Sequence, residues 1–557
     1  MTNAPAPPPS LHGHGGTHAV AAARAHGQSV LWTLSGAHIF PMLDAAVNAP
    51  ESPLRIVDVR HEATAVFAAE ATGKLSRSPG FASVTAGPGV TNSVSAIASA
   101  WFNGSPCVVL GGRAPAGRWG TGALQELDHP PLVSGITKDA FTIADPASAA
   151  PELDRAFGLA ASPHRGPVFV DVPMDVLFSF AEAPHPAGPA LNRLLPDPDS
   201  IQRIAEALQQ ADRPVLVIGG DVWADGAEGA ALALVDQLRI PTIANGMGRG
   251  ILPRGHDCLV TRARSTAFGQ ADLVLVVGAP LDFRLGYGIF GGKDGADPAD
   301  VIHIADSPGE VARHTTLRDS TCGDLSAILT GLADSYGSRG PVRDHSEWLS
   351  MLTAVALKAR ADDDDLLGSA ADPIHPARIY GELIPRLADD AIVIGDGGDF
   401  VSFAGRFIEP QRPGHWLDPG PFGCLGTGLG YAMAARAHRP SGQVVLLLGD
   451  GAAGFSLMDV DTLVRHQMPV VMVVGNNSAW ALEKHPMRFL YGYDVAADLR
   501  PTEYDAVVSA LGGAGETVRA PEGIGPALDR AFASGVPYLV NVMTDTDVAY
   551  PRSTTGV

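Results

Sequence analysis

The chain has 557 residues, a formal net charge of −21 at neutral pH, 46% hydrophobic residues and 18% charged residues. This acidic balance, without a basic stripe, excludes nucleic acid as a partner, although one local pocket can still bind an anion. No apolar run reaches the roughly 18 residues of a membrane span, so none is expected. The four cysteines form no CxxC pair, which is typical of free thiols in a reducing cytoplasm, and we expect a cytoplasmic protein.

The first predicted domain covers residues 20–182, and we expect residues 1–19 to be a disordered tail. The tail is rich in proline, histidine and glycine, and it lacks the charged start and apolar stretch of a secretory signal. Within the domain, short apolar runs such as 105–112 and 166–173 alternate with helical stretches. That alternation predicts parallel strands connected by helices.

A second domain is predicted over residues 196–340, after a linker at 181–200 that is rich in proline and alanine. Its strands are expected at 213–220, 271–279 and 301–307. An acidic run, residues 362–365, follows this domain. Consecutive like charges are usually solvated, so the run is expected to be an exposed linker.

The third predicted domain covers residues 373–557. Its buried-strand runs lie at 391–400, 443–451, 469–477 and 537–545. These runs end in glycine or short polar residues, and in open α/β sheets ligands bind at the carboxyl ends of the strands. The chain as a whole is therefore predicted to be an α/β protein made of three doubly wound domains with parallel sheets.

The segment 446–477 carries the strongest indication of a site. Asp450 follows a buried strand between two glycines, which allow a sharp turn and a close approach to a ligand, and Asn477 ends the next strand. Carboxylate and amide oxygens suit Mg²⁺, which also binds phosphate oxygens. Backbone N–H groups at the start of the following helix, 452–454, suit anionic phosphates. We predict a magnesium and diphosphate site; two ordinary strand–turn–helix units with incidental glycines are the alternative.

This segment, GDG followed after a spacer by NN, resembles the thiamine-diphosphate enzymes that include acetolactate synthases, oxalyl-CoA decarboxylases and 2-hydroxyacyl-CoA lyases. The resemblance extends over nearly the whole chain. It implies an N-terminal pyrimidine-binding domain, a central Rossmann-like domain and a C-terminal diphosphate-binding domain. It also implies a homodimer or homotetramer whose active site lies between two subunits, and it leaves open whether ADP or FAD fills the central domain.

The same resemblance assigns residues to the cofactor and its metal. Mg²⁺ is expected to bind the side chains of Asp450 and Asn477 and the backbone carbonyl of Ala479. Leu425 falls where the family places the apolar residue that supports the bent cofactor; on its own it would be an ordinary core leucine. The residues expected to contact thiamine diphosphate are Asp396, Gly397, Gly398, Asp399, Gly423, Leu425, Gly451, Ala452 and Trp480.

Glu62 is the predicted activator of the cofactor. Alone, a glutamate at the start of a helix is a favourable first-turn residue, but RHE at 60–62 and the turn at 87–92 resemble the family's N-terminal domain. The resemblance implies that Glu62 promotes removal of a proton from the cofactor's reactive carbon. It also places Gln125 facing the substrate and His38 near the reacting carbonyl, with a structural role as the alternative for His38.

The substrate is predicted from the middle of the chain and from Glu483. Segment 245–288 resembles acyl-CoA enzymes. Arg262, Arg264 and Ser265 would there contact coenzyme A, with ordinary surface arginines as the alternative. Glu483 lies where the family chain passes over the cofactor, and a carboxylate there can act as general base and then as general acid. The alternative for Glu483 is a surface residue that pairs with Lys484, His485 or Arg488. These residues favour a reversible lyase that converts a 2-hydroxyacyl-CoA to formyl-CoA and an aldehyde or ketone.

An acetolactate synthase-like carboligase that condenses 2-oxo acids is the alternative. The sequence after Asn477 departs from the synthase pattern, which disfavours pyruvate, whereas the short C-terminal tail offers little material for the lid that CoA enzymes often close. A flavin or nicotinamide oxidoreductase is disfavoured because the glycines at 219–220 and 278 form no GxGxxG motif. A non-catalytic scaffold is disfavoured by the joint presence of Glu62, Asp450 and Asn477.

Overall fold

The computed structural model shows three α/β domains, each built on a parallel sheet, which confirms the predicted fold class. The structure describes residues 10–49, 53–189, 193–293, 295–338, 340 and 343–550. Within these ranges, no helix is both long enough and apolar enough to cross a membrane.

The N-terminal domain has a parallel sheet in the order β3-β2-β4-β5-β7-β6. The strands of this part of the chain are β1 Ser10–His14, β2 Val30–Thr33, β3 Arg55–Asp58, β4 Gly80–Val84, β5 Cys107–Arg113, β6 Asp139–Thr142, β7 Pro167–Pro173 and β8 Phe180–Pro184. The helices are α1 Gly15–Ala25, α2 Phe40–Asn48, α3 Glu62–Ser76, α4 Pro88–Thr91, α5 Val94–Phe102, α6 Pro130–Val133, α7 Ala149–Ala161 and α8 Met174–Phe178. Because helices cover both faces of the sheet, β4 and β7 are buried along their whole length.

The expected disordered tail is wrong for residues 10–19. Strand β1 pairs antiparallel with β8, and the His14 side chain caps α1 by accepting a hydrogen bond from the Thr17 N–H group (3.2 Å). Ala19, Ala22 and Ala23 are fully buried, and their small side chains let α1 pack closely into the domain core. The domain therefore begins at Ser10 rather than at residue 20, while residues 1–9 of the expected tail lie outside the described residues.

The central domain has a parallel sheet in the order β10-β9-β11-β12-β13. Its strands are β9 Pro214–Ile218, β10 Thr242–Ala244, β11 Leu273–Val277, β12 Asp300–Ala305 and β13 Asp319–Cys322. Its helices are α9 Pro198–Gln210, α10 Gly220–Ala224, α11 Glu228–Leu238, α12 Arg264–Gln270, α13 Leu325–Ser338 and α14 Ser346–Leu367. Trp348 and Leu352 of α14 pack into the core of this domain.

The acidic run at 362–365 is not the exposed linker that was expected, because it forms part of α14. Asp363 is buried and makes ion pairs with Arg262 of the central domain (2.5 Å) and with Arg406 of the C-terminal domain. The other three aspartates of the run are exposed. A helix turns successive side chains to different faces, so one member of a charge run can point inward while its neighbours are solvated.

The C-terminal domain has a parallel sheet in the order β15-β14-β16-β17-β19-β18. Its strands are β14 Ile392–Asp396, β15 Trp416–Leu417, β16 Val444–Gly449, β17 Val471–Asn476, β18 Ala514–Val518 and β19 Tyr538–Met543. Its helices are α15 Ala377–Leu383, α16 Asp399–Phe407, α17 Thr427–His438, α18 Asp450–Ser456, α19 Val460–Arg465, α20 Ala481–Tyr491, α21 Tyr504–Ala510 and α22 Ile524–Ala533.

Helix α17 packs directly against α3, so the N-terminal and C-terminal domains share one apolar core. At the contact, Gly430 lies against the Phe67 side chain and the Thr64 carbonyl, both less than 3.0 Å from the position that a Cβ atom would take. Any larger residue at 430 would force the two helices apart. This close packing fixes the start of α3, where Glu62 lies, relative to the C-terminal sheet.

Candidate active site

Two polar side chains meet at the carboxyl edge of the C-terminal sheet. Strands β16 and β17 are parallel neighbours, with Gly449 opposite Gly475, so the residues that follow them lie close together. Asp450 Oδ2 and Asn477 Oδ1 both accept a hydrogen bond from the backbone N–H group of Ala479, each at 3.2 Å. The two oxygens that were predicted to bind Mg²⁺ therefore converge on one point beside Ala479.

The environment of Asp450 fits a cation. The side chain is 3% exposed, and its burial raises the pKa of the carboxyl group to about 6. The groups that oppose this shift are backbone N–H groups, among them that of Gly451 at 2.9 Å. A divalent ion beside this carboxylate would supply the positive charge that these neutral donors lack, and the carboxylate and amide oxygens are ligands that Mg²⁺ accepts.

Glycines at the strand ends allow a close approach of the segment that follows Asn477. A Cβ atom on Gly451 would lie 2.3 Å from the ring of Trp480, and one on Gly398 would lie 2.1 Å from Leu482. Gly397 has a φ of +124°, a conformation that favours glycine. Gly397 and Gly398 are half-buried and Gly451 is buried, and these glycines form a rim around the Asp450 pair, which suits the diphosphate contacts predicted for them.

The carboxylates of Asp396 and Asp399 accept hydrogen bonds from backbone N–H groups of neighbouring loops. Asp396 is fully buried and accepts hydrogen bonds from the N–H groups of Gly426 (3.1 Å) and Gly428 (2.8 Å). Burial raises the pKa of Asp396 to about 7. Asp399 Oδ1 accepts a hydrogen bond from the Tyr550 N–H group (2.8 Å). Both side chains fix neighbouring loops, and the predicted contact of Asp396, Gly397, Gly398 and Asp399 with the diphosphate stays a prediction.

The loop before α17 carries the predicted support for the cofactor. Leu425 is half-buried there, and Gly423 adopts a φ of +70°. The neighbouring Cys424 thiol lies 3.4 Å from the carbonyl of Ser95, which joins the loop to the N-terminal domain. Ala452, in the first turn of α18, is buried. The structure thus places these residues on the same edge of the sheet as Asp450.

Glu62 is the first residue of α3 and is 6% exposed. Its Oε2 atom accepts a hydrogen bond from the side-chain amide of Asn92 (3.0 Å). The start of α3 is held from the C-terminal domain, because Asp459 accepts hydrogen bonds from the Arg60 N–H group (2.7 Å) and from the Thr64 hydroxyl (2.6 Å). Sequence reasoning missed Asp459, whose only signal is an acidic side chain inside the GDG segment.

His38 and Gln125 come together through Thr85, which follows β4. The Thr85 hydroxyl lies 3.2 Å from His38 Nδ1 and donates to Gln125 Oε1 at 3.4 Å. Burial lowers the pKa of His38, which favours the neutral imidazole. Gln125 has a φ of +59°, an unusual conformation for a residue with a side chain. The predicted substrate-facing residues therefore form one cluster at the carboxyl edge of the N-terminal sheet.

The two halves of the predicted site lie in different domains of the chain. In the part of the chain that the structure describes, no hydrogen bond joins Glu62 to Asp450 or Asn477. Glu483 lies on α20 beside Leu482 and is exposed to solvent.

Arg262, Arg264 and Ser265 line a cleft of about 620 Å³ between the central and C-terminal domains. Gly397 and Gly398 line the same cleft. Arg264 is not a surface arginine, because burial, followed by the nearby charges of two other arginines, lowers its pKa to about 10. Arg262 also donates to the Ala359 carbonyl (3.4 Å), in addition to its ion pair in the domain junction. The structure therefore brings the predicted CoA-binding residues to the diphosphate rim.

A second cavity of about 620 Å³ lies at the ends of the central strands and is lined by residues of all three domains. Asp221 and His164 line it, and their ligand atoms lie within 4.8 Å of each other and of Asp306. Burial opposes the charge of His164, but Asp221 and then Asp306 raise its pKa to about 9. Basic side chains, among them Arg77 and Arg165, line this cavity together with Asp221, and its occupancy by ADP or FAD stays a prediction.

Comparisons with known proteins agree with this arrangement of domains. Residues 14–132 match the family model described as thiamine pyrophosphate enzyme, N-terminal TPP binding domain. Residues 201–332 match the model for the central domain, and residues 396–542 match that for the C-terminal TPP binding domain. Together these matches span more than half of the chain.

Similar proteins of full length carry two kinds of name. The "Acetolactate synthase large subunit IlvG" of Mycobacterium tuberculosis is 49% identical over 95% of both chains. The "2-hydroxyacyl-CoA lyase 2" of Mus musculus is 34% identical, and that of Homo sapiens 33%, each over 90% of this chain and 84% of the relative. The chain therefore belongs to the thiamine pyrophosphate enzyme family and is a thiamine-diphosphate-dependent enzyme.

Proposed function

We propose that this enzyme is a reversible carbon–carbon lyase that cleaves a 2-hydroxyacyl-CoA to formyl-CoA and an aldehyde or ketone. The observation that carries the proposal is the cleft that runs from Gly397 and Gly398 to Arg264 and Ser265. Its volume of about 620 Å³ exceeds what a small 2-oxo acid fills, whereas the long phosphorylated chain of coenzyme A would extend along it.

The charges of the cleft favour an anionic ligand. Arg264 is half-buried near Arg249 and Arg284, and desolvation followed by these two like charges lowers its pKa to about 10. It therefore remains protonated at neutral pH, and Asp282, which pairs with Arg284 at 2.7 Å, balances one of the three positive charges. Arg249 Nε is also buried without a hydrogen-bond partner among the described residues. Phosphate groups of a bound thioester would balance the remaining positive charge and accept these donors.

The chain's own residues have distinct roles in the proposed reaction. Bound thiamine diphosphate supplies the electron sink for cleavage of the carbon–carbon bond. We assign Mg²⁺ binding to the side chains of Asp450 and Asn477 and to the carbonyl of Ala479. We assign the activating proton transfer to Glu62, whose orientation is fixed by the hydrogen bond from Asn92 (3.0 Å).

We assign the proton transfers on the substrate to Glu483. Leu482, its neighbour in the first turn of α20, packs against Gly398 of the diphosphate rim. We therefore place Glu483 near the cofactor. There it takes the proton from the substrate hydroxyl, and after the carbon–carbon bond breaks it returns the proton to the former thioester carbonyl carbon. The E483Q variant keeps the shape of the side chain but cannot accept this proton. Undiminished cleavage of a 2-hydroxyacyl-CoA by E483Q would contradict the assignment.

We also propose a homodimer or homotetramer in which Glu62 of one subunit faces the metal edge of another. Glu62 and Asp450 belong to different domains, and no hydrogen bond joins them among the described residues. The end of α20 and the residues after it expose Phe489, Tyr491 and Tyr493, at 72%, 66% and 62%. A second subunit would cover these rings. Light scattering of the purified protein measures the mass, and a monomer under assay conditions would contradict the proposal.

An acetolactate synthase-like enzyme that condenses 2-oxo acids is the second candidate, and the 49% identical relative favours it. The purified enzyme with thiamine diphosphate and Mg²⁺ is assayed with a short 2-hydroxyacyl-CoA and, separately, with pyruvate. We expect formyl-CoA and an aldehyde from the thioester. Production of acetolactate without cleavage of the thioester would replace the first proposal with the second.

A further inference from the structure

We propose that His129 is a positioning residue that holds the turn after β4 and thereby orients Thr85 on one side and Asn92 on the other. The inference rests on the proposed function in one respect, since it takes Glu62 as the activator that Asn92 orients. His129 is fully buried and lies outside the set of residues predicted from the sequence. Its only signal in the sequence is a histidine before two prolines, close to Gln125.

The hydrogen bonds of His129 define its tautomer. The N–H group of Gly87 donates to His129 Nε2 at 2.9 Å, so this nitrogen is an acceptor and carries no proton. The proton therefore lies on Nδ1, which donates to Asp171 Oδ1 at 3.2 Å. Neutral His129 can make both bonds, whereas a doubly protonated ring would place a donor against the Gly87 N–H group.

A charged network anchors the histidine from behind. Asp171 is fully buried and forms an ion pair with Arg113. The Arg113 guanidinium also pairs with Asp128 at 3.0 Å and stacks on the Trp119 ring at 3.9 Å. Because Asp171 belongs to the buried strand β7, its hydrogen bond anchors the imidazole to the sheet rather than to a loop.

The turn that His129 holds has little freedom to move. Gly87 has a φ of +58°, and a Cβ atom there would lie 2.9 Å from the Cβ atom of Gln125. The Gly87 carbonyl accepts hydrogen bonds from the N–H groups of Val90 and Thr91 and so begins α4. The His129 bond to Gly87 thus joins the turn to the sheet at the residue where α4 starts.

Two parts of the predicted site depend on this turn, namely the His38–Gln125 cluster and the activator Glu62. Before Gly87, Thr85 connects His38 with Gln125. After Gly87, the short helix α4 ends at Thr91 and is followed by its C-cap residue Asn92, which donates to Glu62. A displacement of the turn would move the substrate cluster and the activator together. Misplacement of reacting groups by about 1 Å costs on the order of 100-fold in rate.

The test compares variants that keep or lose the acceptor at the place of Nε2. H129Q can place its side-chain oxygen where Nε2 lies and so keeps an acceptor for the Gly87 N–H group. H129N is shorter and keeps only an amide near Asp171, in the position of Nδ1. H129M fills the space without offering an acceptor. We expect kcat to fall at least about tenfold in H129N and H129M but to remain within about threefold in H129Q. The KM for thiamine diphosphate should stay within about threefold in all three, since its diphosphate residues lie in another domain.

A second readout follows the turn without requiring activity. Hydrogen exchange measured by mass spectrometry on the holoenzyme should show faster exchange for the peptide over 85–92 in H129N and H129M than in the wild type and H129Q. The peptide over β5 should be unchanged. Equal loss of kcat and of thermal stability in all three variants, or full kcat in H129M, would overturn the proposal. A wild type inactive on both substrates would instead refute the proposed function, while the exchange comparison still tests His129.

Discussion

At the scale of single residues, two copies of the same tripeptide have opposite uses. Gly395–Gly397 and Gly449–Gly451 both read GDG after a buried strand. Asp396 is enclosed by the N–H groups at the start of α17. Asp450 instead points toward Asn477 and the glycine rim. Local sequence does not distinguish the two aspartates, because the difference lies in what packs against each strand end.

Replacement of Asp450 tests the metal edge. D450N removes the charge that a divalent ion requires, so we expect the apparent affinity for Mg²⁺ and thiamine diphosphate to fall about 100-fold or more. The change is measured by calorimetric titration of cofactor at fixed Mg²⁺. D396N is the matched control, since its carboxylate is engaged by Gly426 and Gly428. Equal cofactor affinity in D450N and the wild type would contradict the assignment.

The raised pKa of Asp396 predicts that the stability of the cofactor-free protein depends on pH. Burial raises its pKa from 3.8 to about 7. The folded protein therefore retains this proton while the unfolded chain releases it, and this group's contribution to stability falls as pH rises from about 4 to 7. The loss amounts to at most about 4 kcal/mol. Thermal unfolding of D396N should depend less on pH than that of the wild type, and parallel curves for the two would refute this.

At the scale of elements, the N-terminus of α3 is capped from another domain. The Asp459 carboxylate accepts hydrogen bonds from the Arg60 N–H group and the Thr64 hydroxyl, and Thr462 donates to the carbonyl of Asp58 at 3.1 Å. Helix starts are ordinarily capped by a nearby residue of the same segment. His61 supplies such a local cap by accepting a hydrogen bond from the Ala63 N–H group (3.2 Å), and Asp459, about four hundred positions away in sequence, adds a second support to the helix that begins with Glu62.

Removal of this second support should affect both stability and activity. D459A leaves two donors at the start of α3 without their acceptor, so we expect a destabilisation of about 1–3 kcal/mol. We also expect a lower kcat, because Glu62 lies in the unsupported turn. Denaturant unfolding and steady-state kinetics measure the two effects.

D461A is the control for D459A. Asp461 contacts the Arg60 side chain (3.3 Å) and Arg465 (2.8 Å) in a partly exposed ion pair. Such pairs contribute less than about 1 kcal/mol, so D461A should retain kcat. A similar loss of kcat in both variants would show that the surface of α19, rather than the cap, supports the helix.

At the scale of the whole molecule, polar contacts of Asp363 and Arg249 join the central and C-terminal domains. Asp363 of α14 binds Arg262 of the central domain and Arg406 of the C-terminal domain, and Arg249 donates to the Gly405 carbonyl at 2.6 Å. This junction borders the cleft proposed for the acyl-CoA. Domain orientation and the shape of the cleft therefore depend on the same ion pairs.

Substitution of Asp363 should weaken the junction. D363A leaves two buried guanidinium groups without a carboxylate, and we expect a loss of about 3–5 kcal/mol. D365A, in the same helix but exposed, should change stability by less than about 0.5 kcal/mol. Differential scanning calorimetry compares the variants with the wild type. Equal transition temperatures for D363A and D365A would contradict the role given to the buried pairs.

The predictable part of the fold rests on local signals. Apolar runs of strand length that end in glycine predicted the strands around Asp450 and Asn477, since turn chemistry and burial depend on neighbouring residues. The same reasoning misjudged residues 10–19, where a composition rich in histidine and glycine concealed β1 and the start of α1. It also misjudged the acidic run at 362–365, where charge alone gave no indication that Asp363 faces inward.

The sequence by itself determined the three α/β domains and the order of the polar strand ends, because periodicity and turn residues act over a few positions. Only the tertiary structure decided which of these polar groups are free to bind a ligand. Asp396 is enclosed, Asp459 caps a distant helix and His129 supports Gly87, and each of these contacts joins residues 30 or more positions apart. Such pairings depend on how helices and sheets pack, which no local pattern encodes.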